Sequence, residues 1–457
     1  MASNYVSAGL ETIAEIIYRF VHGDEFNNHF SADDLSKFFA VTCNKFLHSF
    51  GQNLKPKKKF HKYKNKEASL LYYCRDVGWF DDSELIVDSG GYQISVGILD
   101  ELKCKVLVDL YHEFLQEYVN IYDKAFILDV PPGPGCVLYD NFNQVYEMNK
   151  KTYDMAVNLP SNVRDKLIYI HHFRTPKLWE IYTRILDEGE MFDKFNYHAT
   201  GGVVVNQRSD VLIPCIIYIL PIIPLINRAK ACGRTHLEFH ILGGSSFRDI
   251  LFYELFSIHV MKIHGIDLKI TYDSSSIYKS LMIGRQIYIL NGEIVYKTCI
   301  RTASLETKWS GETTVIQAYR NAIQEMSRKH GLQVIPMEYV YDPKTGTFPY
   351  ELRLYTSLYV LYFFAEMQEH LKKKAKEVYP IYESGETTKF INEVGEILKN
   401  LNHGNMTAKT RSKSNSIPKS LDMLTDLDES YCKYIVDRYL ARDEFLELSK
   451  KKGPLTI

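Results

Sequence analysis

Six short apolar runs recur along the chain, and each ends in an acid, a pair of histidines or a pair of glycines. The runs are Leu85–Val87 before Asp88, Ala125–Leu128 before Asp129, Leu167–Ile170 before His171 and His172, Tyr197–Thr200 before Gly201 and Gly202, Leu237–Leu242 before Gly243 and Gly244, and Leu268–Tyr272 before Asp273. Helical patterns fill the intervals, for example Val106–Tyr122 and Phe247–His264. Strands that alternate with helices predict parallel βαβ units. Because a (β/α)8 TIM barrel gathers its chemistry at the C-terminal ends of its strands, the pattern predicts an α/β protein of that fold.

The alternative architecture is a doubly wound open sheet, but no GxGxxG motif follows the first strand of this chain. Under the barrel interpretation the chain divides into three regions. Residues 1–68 are predicted to form a helical N-terminal extension with a basic loop, residues 69–345 the TIM-barrel catalytic domain, and residues 346–457 a helical C-terminal region. A Ser/Lys-rich stretch near residues 407–420 is predicted to be a mobile linker.

The region after the sixth apolar run also carries local signals. Asn291-Gly292 is the strongest short hairpin signal, and it predicts a β-hairpin over Gln286–Lys297. Residues 314–330 and 351–376 have the pattern of helices.

The amino-acid composition indicates the cellular compartment that is expected for the protein. The eight cysteines are scattered without a CxxC pair, which predicts reduced thiols in a cytoplasm-like compartment. Residues 1–21 are amphipathic and carry acids, unlike a signal peptide. Val211–Ile226 is apolar, but it contains three prolines and is shorter than the roughly 18 residues that a membrane span needs. It therefore predicts a buried segment that covers a sheet.

A lysine-rich run is the candidate for contact with a polymer. The net charge is −1, so any affinity for nucleic acid must come from a local patch. Residues 55–66 hold seven lysines interleaved with Phe60 and Tyr63. The run fits a solvated loop, and it fits equally a contact with a phosphate backbone. The lysines assigned to that contact are Lys57, Lys58, Lys59 and Lys62.

Three carboxylates, Asp88, Asp129 and Asp273, follow predicted strands and are expected at the same end of the barrel. Carboxylates in one pocket can serve as nucleophile, proton carrier and ligand-reading group. A glycosidic bond suits that set, because one aspartate can attack the anomeric carbon while an acid serves the leaving group. In the ordinary alternative, Asp88-Ser89-Gly90 is a strand-to-loop turn, and Asp129 caps another turn.

Four motifs together resemble the tRNA-guanine transglycosylase superfamily. Asp88-Ser89-Gly90-Gly91-Tyr92-Gln93 is similar to its D-[ST]-G-G-[FY]-Q signature, and Thr200-Gly201-Gly202-Val203-Val204-Val205 to its G-G-L-A-V loop. His240-Ile241-Leu242-Gly243-Gly244-Ser245 resembles its Y-L-M-G-V-G strand end. Tyr272-Asp273-Ser274-Ser275-Ser276-Ile277-Tyr278 resembles the F-D-S-A-S-Y nucleophile segment of the archaeal branch. The resemblance covers roughly residues 70–300 and agrees in the order of the motifs.

The resemblance implies a role for each site residue. Asp273 would be the nucleophile that forms a covalent sugar–enzyme intermediate, and Asp88 would carry the proton of the departing and incoming bases. Asp129 would accept hydrogen bonds from the N1–H and 2-amino edge of a guanine-like base. The other base-binding residues would be Tyr92, Gln93, Gly201, Gly202, Leu242, Gly243 and His171, with Tyr92 and Leu242 on the two faces of the ring. His171 and His172 stand where the family often has a glutamine, so one is expected to face the ring and the other to pack.

One departure from the family concerns zinc. Members that act on tRNA carry a C-x-C-x-x-C run and a later histidine that bind structural zinc, whereas this chain has only Cys299 at that place. A single cysteine cannot build a tetrahedral zinc site, so no structural zinc or other cofactor is expected. The departure favours the zinc-poor branch of phages and bacteria, which exchanges guanine in DNA for a 7-deazaguanine such as preQ0.

The leading functional prediction is therefore a DNA-guanine transglycosylase, a pentosyltransferase in the cytoplasm of a bacterium or of a phage-infected host. Its expected partners are DNA and a 7-deazaguanine base. The alternatives are a tRNA-guanine transglycosylase, a non-catalytic nucleic-acid-binding paralogue, and a metal-dependent hydrolase on the same barrel. The hydrolase would need histidine ligands at strand ends, where only His171 and His172 are similar to such a set.

Overall fold

A computed structural model describes fifteen parts of the chain. They are residues 3–6, 45–50, 83–90, 101–129, 142–173, 176–188, 190–201, 215–244, 247–274, 286–291, 294–299, 324–329, 331, 350–401 and 408–440.

A parallel sheet is the centre of the described structure. Its strands, in chain order, are β1 (Ser3–Val6), β2 (Lys45–Ser49), β3 (Glu84–Asp88), β4 (Lys124–Phe126), β5 (Leu167–His172), β6 (Tyr197–Gly201), β7 (His236–Ile241) and β8 (Asp267–Ser274). Each strand pairs with the next one in the sequence, and every pair is parallel. The sheet curls so that β1 also pairs with β8, with Tyr5 opposite Asp273. The fold is thus mixed α/β with a curled parallel sheet.

Strands β3 to β8 correspond to the six strands predicted from the apolar runs. Strands β1 and β2, however, lie within residues 1–68, where the sequence predicts a helical extension. The predicted boundary at residue 68 therefore does not separate the sheet from what precedes it. The physical reason is composition, because β1 and β2 each contain only two consecutive apolar residues, Tyr5-Val6 and Phe46-Leu47, which is too few to form a recognisable apolar run.

Helices follow most of the strands. They are α1 (Glu101–Glu117), α2 (Phe142–Val157), α3 (Ser161–Arg164), α4 (Pro176–Glu188), α5 (Met191–Lys194), α6 (Ile216–Ile219), α7 (Ile222–Ala231) and α8 (Phe247–His264). Further along lie α9 (Tyr350–Glu383), α10 (Thr387–Asn400), α11 (Ala408–Asp426), α12 (Glu429–Ile435) and a π-helical turn at Val436–Leu440. Residues 324–329 form one more helical turn.

Helix α4 illustrates how these helices cover the sheet. It buries Leu178, Trp179, Tyr182, Ile185 and Leu186, which have the spacing of one face of an amphipathic helix. The Tyr169 hydroxyl of β5 donates a hydrogen bond of 3.1 Å to the carbonyl oxygen of Tyr182. The face of β5 that carries Tyr169 therefore packs against α4.

The apolar stretch at residues 211–226 behaves as a buried segment where the structure describes it. Helices α6 and α7 lie in its second half, and Ile216, Ile219, Ile222 and Ile226 are buried. Among the described residues, no helix has the length and apolar content to cross a membrane.

The long C-terminal helices pack on α8 of the sheet region. His259 of α8 uses its two ring nitrogens for two of them, with Nδ1 2.9 Å from the Tyr379 hydroxyl of α9 and Nε2 2.8 Å from Thr425 Oγ1 of α11. Lys413 of α11 forms a buried ion pair of 3.0 Å with Asp249, near the start of α8. These contacts join the C-terminal helices to the element that follows β7.

The prediction of a mobile linker near residues 407–420 is wrong, because residues 408–426 form helix α11. The Ser/Lys-rich composition misleads because these polar groups are satisfied within the fold. Ser416 donates to the carbonyl of Lys413 and Ser420 to that of Ser416, while Lys413 is buried against Asp249.

The predicted hairpin is confirmed. Strands β9 (Gln286–Asn291) and β10 (Ile294–Cys299) pair antiparallel, with Asn291 opposite Ile294.

A group of charges lies near the N-terminal ends of the sheet strands. Lys124 Nζ is 2.6 Å from Glu84 Oε1 and 2.5 Å from Glu238 Oε1. Lys45 and Lys269 pair with Glu84 and Glu238 from more exposed positions. The side chains of Lys124 and Glu238 are each only 8% exposed, so these charges depend on one another for compensation.

The pKa values of this group follow from the pairing. Burial raises the pKa of Glu84, but the charges of Lys124 and Lys45 and their hydrogen bonds outweigh burial and hold the pKa well below its usual range. Burial likewise lowers the pKa of Lys124, yet Glu238 and Glu84 raise it above the ordinary lysine value. The charged forms are thus the stable ones in the folded protein.

Candidate active site at the C-terminal ends of the strands

Asp273, the predicted nucleophile, lies near the C-terminal end of β8, and its side chain is 17% exposed. The backbone N–H of Gly243, just after β7, donates a hydrogen bond of 2.5 Å to Asp273 Oδ1. Gly243 has a φ of 73°, which is the left-handed conformation that glycine adopts without steric cost. The turn after β7 therefore presents a donor to the end of the neighbouring strand β8. Both residues belong to the site predicted from the sequence, and the structure brings them into contact.

Beneath Asp273 lies a histidine that belongs to a quoted motif but was assigned no role from the sequence. His240 of β7 is 2% exposed, and its Nε2 is 3.6 Å from Asp273 Oδ1. Its Nδ1 is 2.9 Å from Thr271 Oγ1 on β8. The ring of Phe126 from β4 meets the His240 ring edge-on, with centroids 5.2 Å apart. Because successive side chains of a strand alternate between faces, Thr271 and Asp273 lie on one face of β8, and His240 is across from them.

A second buried cluster joins β4 and β5. Asp129, which follows β4, is 3% exposed, and its Oδ2 is 2.5 Å from Nε2 of His172 at the end of β5. The Ser89 hydroxyl donates a hydrogen bond of 3.2 Å to Asp129 Oδ1. Both carboxylate oxygens of the predicted base-reading residue thus have a partner within the protein. A carboxylate offers about four lone-pair sites, so acceptor capacity remains.

Gly201 makes room for this cluster. It is the register partner of His172 on the neighbouring strand β6, and a Cβ at position 201 would overlap Cε1 of the His172 ring. Glycine is therefore required at this position for the imidazole to occupy its place. The N–H of Leu242 donates a hydrogen bond of 2.9 Å to the carbonyl of Thr200, which ties the end of β7 to β6. Leu242 is partly buried against the apolar core.

Asp88, the predicted proton carrier, is the last residue of β3 and is partly buried. It is next in sequence to Ser89, which contacts Asp129, so β3 and β4 bring these two acids to the same edge of the sheet. Gly90, which follows Ser89, has a φ of 95°, a backbone conformation that glycine adopts without steric cost.

His171 is placed differently from the sequence-based assignment. It faces Trp179 of α4, with ring centroids 5.7 Å apart, and it is His172 that contacts Asp129. Neighbouring residues of a strand point to opposite faces, so only one of the two histidines can reach the Asp129 side chain. Burial, the largest cause, lowers the pKa of His171 to about 3. Among the described residues, neither of its ring nitrogens has a hydrogen-bond partner.

Several predicted site residues lie outside the described residues. They are Tyr92, Gln93 and Gly202 of the base pocket and Lys57, Lys58, Lys59 and Lys62 of the basic run.

Within the described part of the chain, no group of three or more His, Cys, Asp or Glu side chains has the arrangement to hold a metal ion.

Two supporting residues that received no role from the sequence follow a simple rule. His240 lies within the His240–Ser245 motif and Thr271 directly before the Tyr272–Tyr278 motif, and each stands two positions before a predicted site residue, namely Leu242 and Asp273. A period of two places such residues on the same face of a strand, one layer deeper. That period, applied backward from each predicted site residue, is the signal that could have identified them.

Comparisons with protein-family models, with curated proteins and with solved structures found no match to this chain. The class that fold and site define is accordingly an α/β protein with a polar, carboxylate-containing site at the C-terminal edge of a curled parallel sheet.

Proposed function

We propose that the curled sheet is a (β/α)8 TIM barrel and that the protein is a guanine transglycosylase acting on DNA. The observation that carries the proposal is the Asp273 carboxylate, which is fixed at the edge of the sheet by the Gly243 N–H. Asp88 ends β3 at the same edge, where a second carboxylate is needed for proton transfer. A TIM barrel places its active site at this edge of the sheet.

The exchange would proceed in two displacements. Asp273 attacks C1′ of the deoxyribose, the C1′–N9 bond breaks, and the electron pair remains on the guanine, which takes a proton from Asp88. A glycosyl ester now joins Asp273 to the sugar. An incoming 7-deazaguanine then loses the proton from its five-membered ring to Asp88 and attacks C1′, and the ester bond breaks to regenerate the Asp273 carboxylate. Enzymes that retain the configuration at the anomeric carbon commonly use a pair of carboxylates in this way.

The base would lie near the second cluster. Asp129 retains acceptor capacity for the N1–H and 2-amino edge of guanine while it holds His172. The backbone near Gly201 and the side chain of Leu242 lie on β6 and just after β7, between Asp129 and Asp273 in the order of strands. Buried polar groups of this kind reject bases that cannot satisfy them.

A labelling experiment tests the proposed function. Purified protein is incubated with radiolabelled guanine and either plasmid DNA or bulk tRNA, and label in the polymer is counted. We expect label in DNA; label in tRNA alone would move the protein to the tRNA-acting alternative. No label in either polymer, for protein that is folded, would contradict the transglycosylase proposal.

Two aspartates of the same strand give a matched pair of variants for this assay. Asp273→Asn should abolish labelling and any covalent protein–DNA adduct, because removal of a nucleophile costs several orders of magnitude in rate. Asp267→Asn, at the exposed opposite end of β8, should leave labelling unchanged. Equal activity of the two variants would exclude Asp273 as the nucleophile.

The proposed binding of DNA by the lysine run has its own test. Replacement of Lys57, Lys58, Lys59 and Lys62 by glutamine should weaken DNA binding for all sequences. It should also flatten the salt dependence by up to about 0.9 in log–log slope for each phosphate that the variant no longer neutralises. An unchanged slope would place the footprint elsewhere.

We also propose that activity needs no structural zinc. Elemental analysis of the purified protein measures its metal content, and a value of about one zinc per chain would contradict this part of the proposal.

A further inference from the structure

We propose that His240, held by Thr271, is a positioning residue that engages Oδ1 of Asp273 and leaves Oδ2 as the attacking oxygen. The inference rests on the proposed function, since it assigns the nucleophile's two oxygens different tasks. Its observations are the 3.6 Å from His240 Nε2 to Asp273 Oδ1 and the 2.9 Å from His240 Nδ1 to Thr271 Oγ1.

The first step concerns the proton on Nε2. The Thr271 hydroxyl is fully buried and lies at hydrogen-bond distance from Nδ1. When Thr271 donates to Nδ1, the neutral imidazole must carry its hydrogen on Nε2. A doubly protonated ring would carry it there as well. In both states an N–H is directed towards the carboxylate of Asp273. An Nε2 without hydrogen would instead place its lone pair against the lone pairs of Asp273 Oδ1, which is repulsive.

The second step concerns the two carboxylate oxygens. Gly243 N–H already donates to Oδ1 at 2.5 Å, and His240 Nε2 approaches the same oxygen from below. The Gly243 hydrogen bond, together with the His240 N–H dipole directed at the same oxygen from 3.6 Å, reduces the electron density of Oδ1 and orients the carboxylate. Oδ2 then remains as the nucleophilic oxygen. When the glycosyl ester breaks, negative charge returns to the carboxylate, and the Gly243 N–H and the His240 N–H dipole stabilise it.

The third step concerns the rigidity of the imidazole. Phe126 meets its ring from β4, and His240 is 2% exposed. Packing therefore fixes the ring plane, and the contact with Thr271 holds Nδ1 in place. Preorganised donors of this kind cost no reorganisation at the moment of reaction.

Kinetics of adduct breakdown test the proposal. The rate at which the incoming 7-deazaguanine breaks the preformed Asp273–sugar adduct is measured in a single turnover for His240→Leu, His240→Gln and wild type. We expect breakdown in His240→Leu to be slower by about 30- to 100-fold with DNA affinity unchanged, somewhat less than the loss for a direct oxyanion donor. His240→Gln, which retains an amide donor, should remain within about 5-fold of wild type. A purely structural role predicts instead that the two variants fall together, with loss of DNA affinity or of thermal stability.

Thr271 supplies the conservative pair. Thr271→Ser keeps the hydroxyl and should react at the wild-type rate, whereas Thr271→Val keeps the shape and should be slower by about 3- to 10-fold. Equal rates for the two variants would show that the hydroxyl does not act through His240, and would overturn that part of the proposal.

An NMR measurement separates this inference from the proposed function. Ring nitrogen shifts of 15N-labelled histidine, assigned to His240 by comparison with His240→Leu, report which nitrogen bears hydrogen. We expect hydrogen on Nε2 in wild type and a mixture of tautomers in Thr271→Val. A bare Nε2 in wild type overturns this proposal alone. If no adduct forms with DNA or tRNA, the proposed function fails, and the role for His240 fails with it whatever the tautomer.

Discussion

His172 and Asp129 come from the ends of neighbouring strands, and their side chains meet at 2.5 Å between Nε2 and Oδ2. Both are buried, at 5% and 3% exposure. The pairing changes the interpretation of Asp129, because the acid expected to read a base also orients a histidine. A substrate base at this site would meet a preformed Ser89–Asp129–His172 network rather than a lone carboxylate.

Asp129→Asn should weaken base binding more than it alters the fold. The side-chain amide of asparagine is uncharged and therefore a weaker acceptor, and its NH2 group places a donor where the base needs an acceptor. We therefore expect a loss of about 1.5–3 kcal/mol in the free energy of base binding. Titration calorimetry with guanine measures it, with Asp165→Asn, an exposed aspartate, as the control. Unchanged affinity would mean that Asp129 serves His172 alone.

Gly201→Ala should displace the His172 ring, because the new Cβ would overlap Cε1. We expect at least a 10-fold loss of base exchange, since small displacements in a catalytic site have effects of this size or larger. The double-mutant cycle with His172→Ala provides the check. If the clash is the cause, Gly201→Ala should have little further effect once His172 is removed. Additive losses would locate the effect elsewhere.

The sequence predicted the parts of the fold that have long periodic patterns. Helix α8 has the predicted bounds Phe247–His264, and the hairpin was indicated by Asn291-Gly292. Strands β1 and β2 were not predicted because each contains only two consecutive apolar residues. Helix α11 was not predicted because its serines and lysines have the composition of a linker. Tertiary partners such as Asp249, which pairs with the buried Lys413, make this composition compatible with a packed helix.

The residues of the candidate site were likewise predicted only in part. Motif resemblance selected Asp88, Asp129, Gly243 and Asp273, which all lie at the C-terminal edge of the sheet. It did not resolve which of two adjacent histidines contacts Asp129, because the face of a strand on which a residue lies depends on register. The supporting residues His240 and Thr271 received no role, since the resemblance assigns roles to residues that would contact the substrate and not to those that hold them.

Stability should fall as the pH is lowered from 6.5, because burial lowers the pKa of His171 and of His198 to about 3. Above pH 6.5 both rings are neutral in the folded and unfolded states. Below pH 6.5 the unfolded chain binds protons that the folded protein does not. Each ring then lowers the free energy of unfolding by up to about 1.4 kcal/mol per pH unit. The effect continues until the pH approaches the folded-state values near 3.

His198→Phe isolates one of these contributions. The His198 ring stacks on Phe192 with centroids 4.9 Å apart, so a phenyl ring should retain the contact without titrating. Urea unfolding between pH 6 and 5, above the range where carboxylates titrate, should show a pH slope reduced by about 1 kcal/mol per unit. His236→Gln, at an exposed position, is the control. An unreduced slope in His198→Phe would contradict burial as the source.

Lys124→Met should strongly destabilise the fold without affecting chemistry at the opposite edge of the sheet. Lys124 compensates Glu84 and Glu238, and its removal leaves them with the more exposed Lys45 and Lys269. Removal of one partner of a buried ion pair typically costs about 3–5 kcal/mol. Urea unfolding at pH 7 measures the change, and Lys150→Met, in a surface pair with Asp154, should cause no measurable difference.

The pH dependence of the Lys124→Met variant gives a second, independent check. In wild type the pKa of Glu84 and that of Glu238 are lowered by their lysine partners against the effect of burial, so their stabilisation is present above pH 4.5 and is lost as the pH falls further. Without Lys124 the burial of these carboxylates is less well compensated, and their pKa values should rise. The stability difference between variant and wild type should therefore shrink as the pH falls from 7 to 4. A difference that stays constant with pH would indicate that Lys124 contributes through the packing of its aliphatic stem and not through its charge.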